Sequence, residues 1–482
     1  VNGFVQEPSD ILASLRRLRE QDAPTHGGRV LSYVYDPGLA ELDELAADAA
    51  RLMQPVNGLD PTTFGSVAAL ERDLLGFVRD LLHGDAEVVG TVTTGGTESC
   101  LLAVKTARDA WVAAGGTGRA RLVMPATAHA AFQKAAHYFG LDLDLVPVSA
   151  DGIVFVDDVE ARLAGDVALV VVSAPSYPVA ALDPVAAVAE LTAARGIALH
   201  VDACIGGLVL PFWPDLPAWD FAVPGVTSVS ADLHKYGYAP KGVSVLLQRG
   251  RDRQRMQYFA TTRWPGYPVV NPTILGSKSA GPLAAAWAIT QALGSGGFQR
   301  LADSTRRSTA ALVEAIADIE GLRVLGDPVG PLFAVATDPA VPEERRVDPH
   351  HWADATRRLG FVLQLQPAHG AIPPTTHLTI TPVTESVLPE LLGALGSAAD
   401  AVRGIPHVDA GPLLAQLPPV TGPLDSDTAA TILGSFGIGA GGALPDALAP
   451  LLAIIEATPP ELAERLLTEL LARLVEPVPP VG

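Results

Sequence analysis

Lys235 stands in the run SADLHKYGYAPKG, from Ser230 to Gly242, directly after an apolar stretch that reads as a strand. A lysine at a strand end, preceded by His234 and followed by a glycine-containing turn, reaches into a cleft where its amine can condense with an aldehyde. The ammonium must first lose its proton, and desolvation or a nearby cation is expected to lower its pKa enough for that. A lone lysine is an ordinary surface group, so the weight falls on what accompanies it.

Three segments accompany it. Asp202 lies in HVDACIGG, His200 to Gly207, again at the end of an apolar strand. A carboxylate there can hold a proton on a pyridine nitrogen, so that the ring accepts electrons from a carbanion; the bland alternative is a helix cap or a loop carboxylate. In GTVTTGGTESC, Gly90 to Cys100, glycines precede a helical run from Leu101 to Ala110. The amides of that helix N-terminus, with the hydroxyls of Thr97 and Ser99, make an anion cradle. It is not a nucleotide-binding loop of the Walker type, because the Gly-Lys-Ser/Thr ending is missing. His129, in TAHAAFQKAAHYFG from Thr127 to Gly140, follows another strand, and its imidazole can stack on a flat ring while moving protons. Cys204 reads as a small core side chain rather than a nucleophile. A lysine amine, a partner for a ring nitrogen, a phosphate cradle and a stacking imidazole are what pyridoxal 5'-phosphate needs.

The elements that position these residues follow from the hydrophobic pattern. Short apolar runs at Arg121–Met124, Ala168–Ser173, Ile197–Val201, Thr227–Ser230 and Val243–Leu247 alternate with helical patterns, which predicts βα units and a mostly parallel sheet buried on both faces. After Gly294–Gly297 one long helix is expected from Leu301 to Ile319, then strands near Leu332–Ala336, Phe361–Leu365 and His377–Ile380 in a smaller α+β domain. The expected division is an N-terminal arm (1–60), a large cofactor-binding domain (61–300), a small domain (301–405) and a terminal segment (406–482). In that last segment, Pro406 to Gly442 is rich in Pro, Gly and Ser and reads as a linker, while Leu462, Leu466, Leu470 and Leu474 share a helix face.

Composition narrows the partners. With 33 basic against 53 acidic residues in 482, the net charge of −20 argues against a nucleic-acid partner or an anionic membrane surface, and leaves any phosphate ligand to local basic groups. Hydrophobic residues make up 48% of the chain, which predicts an extensive core or a large subunit interface. Cys100 and Cys204 are the only cysteines, so a reducing compartment fits. No apolar stretch is long enough to span a membrane and no signal-peptide pattern opens the sequence, so a cytoplasmic protein without a membrane anchor is expected. No metal site is expected.

The four segments, in this order, resemble the pyridoxal-phosphate decarboxylase and carbon–carbon lyase group, and most closely the sphingosine-1-phosphate lyases. The resemblance rests on TTGGTESCLLAVKTARD, HAAFQKAAHYFG, HVDACIGGLVLPF and ADLHKYGYAPKG, and runs from Tyr35 into the small domain. It implies an α/β, aspartate-aminotransferase-like fold (fold type I), with a seven-stranded-type sheet in the large domain. Lys235 would carry the cofactor as a Schiff base, Asp202 would pair with the pyridine nitrogen, His129 would stack on the ring, and Gly96, Thr97 and His234 would hold the phosphate. Gly276 and Ser277 would add contacts from the neighbouring subunit, which makes a homodimer with shared sites.

In sphingosine-1-phosphate lyases a tyrosine, a histidine and a lysine grip the substrate phosphate; Tyr35 and Lys241 match two of these, and the histidine falls on Asp60. An aspartate beside a phosphate would repel it by about 1 to 4 kcal/mol at ~4 Å, depending on exposure. The family's arginine in its GSRPG segment is Lys278, which loses a bidentate fork. The expected reaction is retro-aldol cleavage of an amine substrate to an aldehyde and phosphoethanolamine, and the alternative is decarboxylation of an amino acid. Lys235, His129 and Tyr177 are the candidates for returning a proton to the α-carbon. A third reading is a cofactor-binding protein that has lost catalysis, against which the intact Lys235, Asp202 and His129 stand.

Overall fold

The structure, a computed structural model, describes residues 5–414, 424–435 and 446–477. The apolar runs form a seven-stranded sheet: β1 (Val88–Thr93), β2 (Arg121–Pro125), β3 (Asp142–Val146), β4 (Val167–Ser173), β5 (Ala198–Asp202), β6 (Ser228–Ala231) and β7 (Ser244–Arg249). Their order in space is β1-β7-β6-β5-β4-β2-β3. Strands β6 to β3 run parallel, and β7 is antiparallel to both of its neighbours. Every residue of β4 and β5 is buried, which explains why these strands carry unbroken apolar runs rather than alternation.

All five expected strands are present. The two that sequence reading missed are the sheet's edges. In β3 (DLDLV) aspartates alternate with leucines, and an edge strand carrying charge is protected from pairing with another chain. In β1 (VVGTVT) a glycine and two threonines break the apolar pattern; Gly90 is required there because a Cβ would lie 2.6 Å from Leu246 O of β7.

An exposed hairpin, β8 (Phe259–Thr261) with β9 (Val269–Asn271), follows the large sheet. The chain then enters one helix, Gly281–Ala317, bent where Gly294 leaves helical geometry. The expected start at Leu301 is therefore corrected: the glycines kink a helix rather than separate it from what precedes, because Leu283–Ile289 is already packed in the core. The same helix crosses position 300. Beyond it, β10 (Leu322–Val324), β11 (Leu332–Thr337), β12 (Gln364–Gln366) and β13 (Thr375–Thr379) form an antiparallel sheet in the order β10-β11-β13-β12. Helices Pro349–Arg358 and Thr384–Val402 pack on it around Phe333, Trp352 and Phe361. Residues 415–423 and 436–442 of the expected linker lie outside the described residues. Around them, Ser426–Ser435, Ala449–Ala457 and Pro460–Leu474 are helical.

A buried acid near the end of β4 makes stability depend on pH. Asp183 Oδ2 accepts the Ser173 amide at 2.7 Å, while Oδ1 has no hydrogen-bond partner. Burial pushes its pKa from 3.8 up to about 7. Between those values the folded state keeps a proton that the unfolded chain has lost, so stability falls as pH rises through the window, by at most about 1.4 kcal/mol per pH unit. Asp183→Asn preserves the acceptor and removes the titration. Urea midpoints measured from pH 5 to 8 should therefore slope less in the variant than in the wild type; equal slopes would refute the assignment.

Candidate active site

The carboxyl ends of β4, β5 and β6 lie side by side, with Ser173 in register with Asp202 and Asp202 with Ser230. Ligands of open α/β sheets bind in the crevice beyond such ends. A cavity of about 540 Å³ opens there. It is lined by Lys235, Asp202, His129, Tyr177, Gly96, Thr97, His234 and Tyr35, which are eight of the expected site residues. Asp232, Glu98, Tyr33 and Gln364 line it too and were not anticipated.

At the lysine, the structure reverses one expectation. Lys235 Nζ lies 2.8 Å from Oδ2 of the buried Asp232, three residues upstream. Burial, the largest single influence, disfavours the ammonium, but the Asp232 carboxylate together with Cys204 and Tyr35 raises the Lys235 pKa well above the lysine range rather than lowering it. Asp232 is charged despite its burial because Lys235 and His234 face it and Ser244 Oγ donates to its Oδ1 at 2.6 Å. Its place at i−3 in ADLHK is the signal from which it could have been found.

Asp202 is fixed on one side. The Cys204 amide and the Ser230 hydroxyl both reach Oδ1, at 3.1 and 3.3 Å. His200, itself bonded to Ser228 and Ser230, holds that hydroxyl in place. Among the described residues no hydrogen bond falls on Oδ2, and Asp202 lines the cavity. Cys204 is buried, and its hydrogen bond with Cys100, its burial and Asp202 keep the thiol well above its usual pKa, so it is not a nucleophile. His129 Nδ1 accepts the Ala131 amide at 3.1 Å, which puts the proton of a neutral ring on Nε2.

The expected phosphate cradle corresponds to helix Gly96–Ala113, whose N-terminus opens into the cavity. A Cβ at Gly96 would come within 2.7 and 2.8 Å of the Asp232 oxygens and 2.9 Å of Cys204 Sγ. Glu98 braces this turn: Oε2 accepts from the Thr94 amide and hydroxyl, and Oε1 from the amides of Ile274 and Leu275. His234 Nδ1 is buried with no partner, an orphaned group that an anion in the cradle would satisfy. The lysine, the open carboxylate oxygen, the small-residue cradle and the orphaned imidazole fit pyridoxal 5'-phosphate. Gly96→Ala is expected to weaken cofactor binding at least about tenfold, since overpacking costs about 1–3 kcal/mol. Titrating cofactor-free protein by its visible absorbance reads this directly, and unchanged affinity would show the cradle to be misplaced.

On the opposite wall, Tyr177 Oη donates to Gln364 Oε1 at 2.5 Å, and Gln364 Nε2 donates to Tyr33 Oη at 2.8 Å. Burial raises the Tyr177 pKa, and the ring stacks on His377 with centroids 4.4 Å apart. Gln364 comes from β12 of the small sheet, far along the chain from every motif.

Three expected residues are not in this cavity, and a fourth stands beside it. Asp60, Gly276 and Ser277 line a separate cavity of about 1270 Å³. The Asp60 carboxylate is committed to the amides and hydroxyls of Thr62 and Thr63, which depress its pKa and keep it charged, and within one chain it lines this second cavity rather than the one at Lys235. Lys241 is not a lining residue; its Nζ donates to His234 O at 3.0 Å and sits 4.5 Å over the Tyr35 ring. Burial and the charge of Lys235 lower its pKa to about 8.

Residues 41–327 match the "Pyridoxal-dependent decarboxylase conserved domain". The chain belongs to that family. Pyridoxal 5'-phosphate is accordingly its cofactor, and the expected fold type I architecture is borne out. So is the expected likeness to sphingosine-1-phosphate lyases. This family member is 35% identical over 336 residues to the sphingosine-1-phosphate lyase of Dictyostelium discoideum, covering 68% of this chain and 63% of that one. With the Oryza sativa enzyme of the same name it shares 32% over 425 residues, 86% of this chain and 76% of the other. The solved structure of a Burkholderia pseudomallei sphingosine-1-phosphate lyase superposes with a TM-score of 0.77 at 32% identity, covering 84% of this chain and 93% of that one. The aligned stretch thus spans less than two thirds of the Dictyostelium relative. Residues 409–473 match a C-terminal HTH-type domain model of pyridoxal-dependent enzymes, which sequence reading had not identified. Among the described residues, no helix is long and apolar enough to cross a membrane.

Proposed function

We propose that this protein is a pyridoxal-phosphate-dependent carbon–carbon lyase that cleaves a phosphorylated amino alcohol, of the sphingosine-1-phosphate kind, to an aldehyde and phosphoethanolamine. The observation that carries the reading is that Lys235, Asp202, His129 and the Gly96 cradle, spread over the chain, converge on one cavity. The names of the relatives above favour the lyase over the decarboxylase.

In this reading Lys235 would anchor the cofactor, Asp202 Oδ2 would keep a proton on its ring nitrogen, and His129 would pack against it. Gly96, Thr97 and His234 hold its phosphate. The cofactor supplies an electron sink for the pair left on the α-carbon when a bond there breaks. The protein decides which bond that is by orienting the substrate. Tyr177, a phenol whose raised pKa keeps it protonated at neutral pH, is a proton donor on the wall that carries Gln364 and Tyr33, and Lys235 and His129 Nε2 are the other groups able to move a proton. Tyr35, with Lys241 over its ring, marks the mouth at which a substrate phosphate would be held.

Gly276, Ser277 and Asp60 gather at a second cavity, which suits a surface offered to a neighbouring subunit; we take the assembly to be a homodimer. The four-part division expected from the sequence is kept as a proposal, as is a cytoplasmic location, which the two buried free thiols favour. Nucleic acid is not a partner in this reading: residues 409–473 hold eight acidic residues and two basic ones, and both basic ones, Arg465 and Arg473, are paired with Glu469.

Incubating the loaded enzyme with a phosphorylated sphingoid base, and separately with a panel of amino acids, decides between the two chemistries. Aldehyde and phosphoethanolamine are expected from the first, and carbon dioxide with an amine from the second would overturn the proposal.

A further inference from the structure

Three elements whose residues do not line the cofactor cavity meet where the small domain touches the terminal helices. His350 lies in helix Pro349–Arg358, His407 follows helix Thr384–Val402, and Glu456 lies in helix Ala449–Ala457. Each offers a ligand-type atom, and these atoms all lie within 4.8 Å of one another. The spacing in sequence gives no motif, so only the fold brings them together.

The hydrogen bonds around the cluster set the state of each group. His350 Nε2 lies 2.9 Å from the carbonyl oxygen of Gln366, an acceptor only, so the proton of a neutral ring is on Nε2 and the lone pair on Nδ1. His350 is fully buried, and among the described residues Nδ1 has no hydrogen-bond partner. His407 Nδ1 lies 2.7 Å from Oδ2 of the buried Asp348, which leaves Nε2 to face Glu456 Oε2 at 2.9 Å. Glu456 Oε1 is occupied by the Ala368 amide, so Oε2 is the oxygen turned to His407.

A carboxylate or carbonyl behind the far nitrogen of each imidazole is how metal-binding histidines are oriented and made more basic. We propose that His350 Nδ1, His407 Nε2 and Glu456 Oε2 form a site for a divalent transition metal of the zinc type, with Asp348 and the Gln366 carbonyl as the outer supports. Two imidazoles and one carboxylate suit zinc, whose ligand distances of about 2.0–2.2 Å require the three atoms to draw together and the His407–Glu456 contact to open slightly. A protonated His407 bridging Asp348 and Glu456 would account for two of these contacts, and it leaves the buried lone pair of His350 with nothing to bind. The metal would fasten the terminal helices to the small domain at a point where Asp354 already caps helix Ala449–Ala457 through the amides of Leu448 and Ala449.

The test is calorimetric titration of zinc chloride into tag-free, cofactor-loaded protein stripped of metal by a chelator. One equivalent per chain is expected, with a zinc-dependent rise in melting temperature. His350→Ala and Glu456→Gln should each weaken binding at least about tenfold, and Asp348→Asn about 10–100-fold. Glu456→Gln leaves the buried His350 in place, so it reports even where His350→Ala fails to fold. Absence of saturable binding would overturn the proposal, as would binding undiminished in Glu456→Gln and His350→Ala, which would point to Cys100, Asp202 and Cys204 as the ligands instead.

Discussion

Lys235→Ala is expected to abolish the visible absorbance of the bound cofactor and to lower turnover by at least about a thousandfold. The expectation rests on two losses at one atom in the proposed reading: Nζ would be the covalent anchor and is one of the candidate proton-transfer groups, and the latter role alone is worth about 10²–10⁴-fold. The variant also leaves Asp232 buried beside His234 without its 2.8 Å partner, so a second effect follows. Removing one member of a buried pair costs about 3–5 kcal/mol, and the cofactor-free variant should melt below the cofactor-free wild type. A variant that kept both the colour and the turnover would end the case for Lys235.

Asp202→Asn should separate electron withdrawal from cofactor binding. Asparagine keeps an oxygen for the Cys204 amide and the Ser230 hydroxyl, so the end of β5 stays in place. What disappears is the charge proposed to hold a proton on the cofactor ring. A hydrogen bond to a charged group is worth about 1.5–3 kcal/mol, so kcat should fall about 10–150-fold with a smaller change in cofactor affinity. Single-turnover rates with the loaded variant read this split. A loss confined to cofactor binding, with normal kcat at saturation, would show that Asp202 only positions the ring.

The parts of this protein that could be read from sequence share a property: local residues decide them. Strands β2, β4, β5, β6 and β7 are apolar because both faces are buried, and the lysine, aspartate, glycine and histidine motifs sit at strand ends where chain direction alone aims them at one crevice. The edge strands escaped because charge and glycine at β3 and β1 answer to neighbouring chains and to a close backbone approach, not to burial. Gln364 and Tyr33 escaped because their place in the cavity depends on how the small sheet and the N-terminal segment pack, which no short motif encodes. Asp232 escaped for another reason. It stands in ADLHK three residues before the lysine, and only the burial of the ammonium, which no local pattern states, makes a charged partner there necessary. Asp60 illustrates the converse: alignment to a family position suggested a role that its own Asx turn, closed by Thr62 and Thr63, does not support within one chain.

The central claim is a covalent link between the cofactor and one particular nitrogen. Borohydride reduction of the loaded enzyme, followed by proteolysis and peptide mass spectrometry, locates that link. The account predicts a pyridoxyl-phosphate mass increment on the peptide containing Lys235 and on that residue within it. The same increment on Lys241 or Lys278, with Lys235 unmodified, would contradict it.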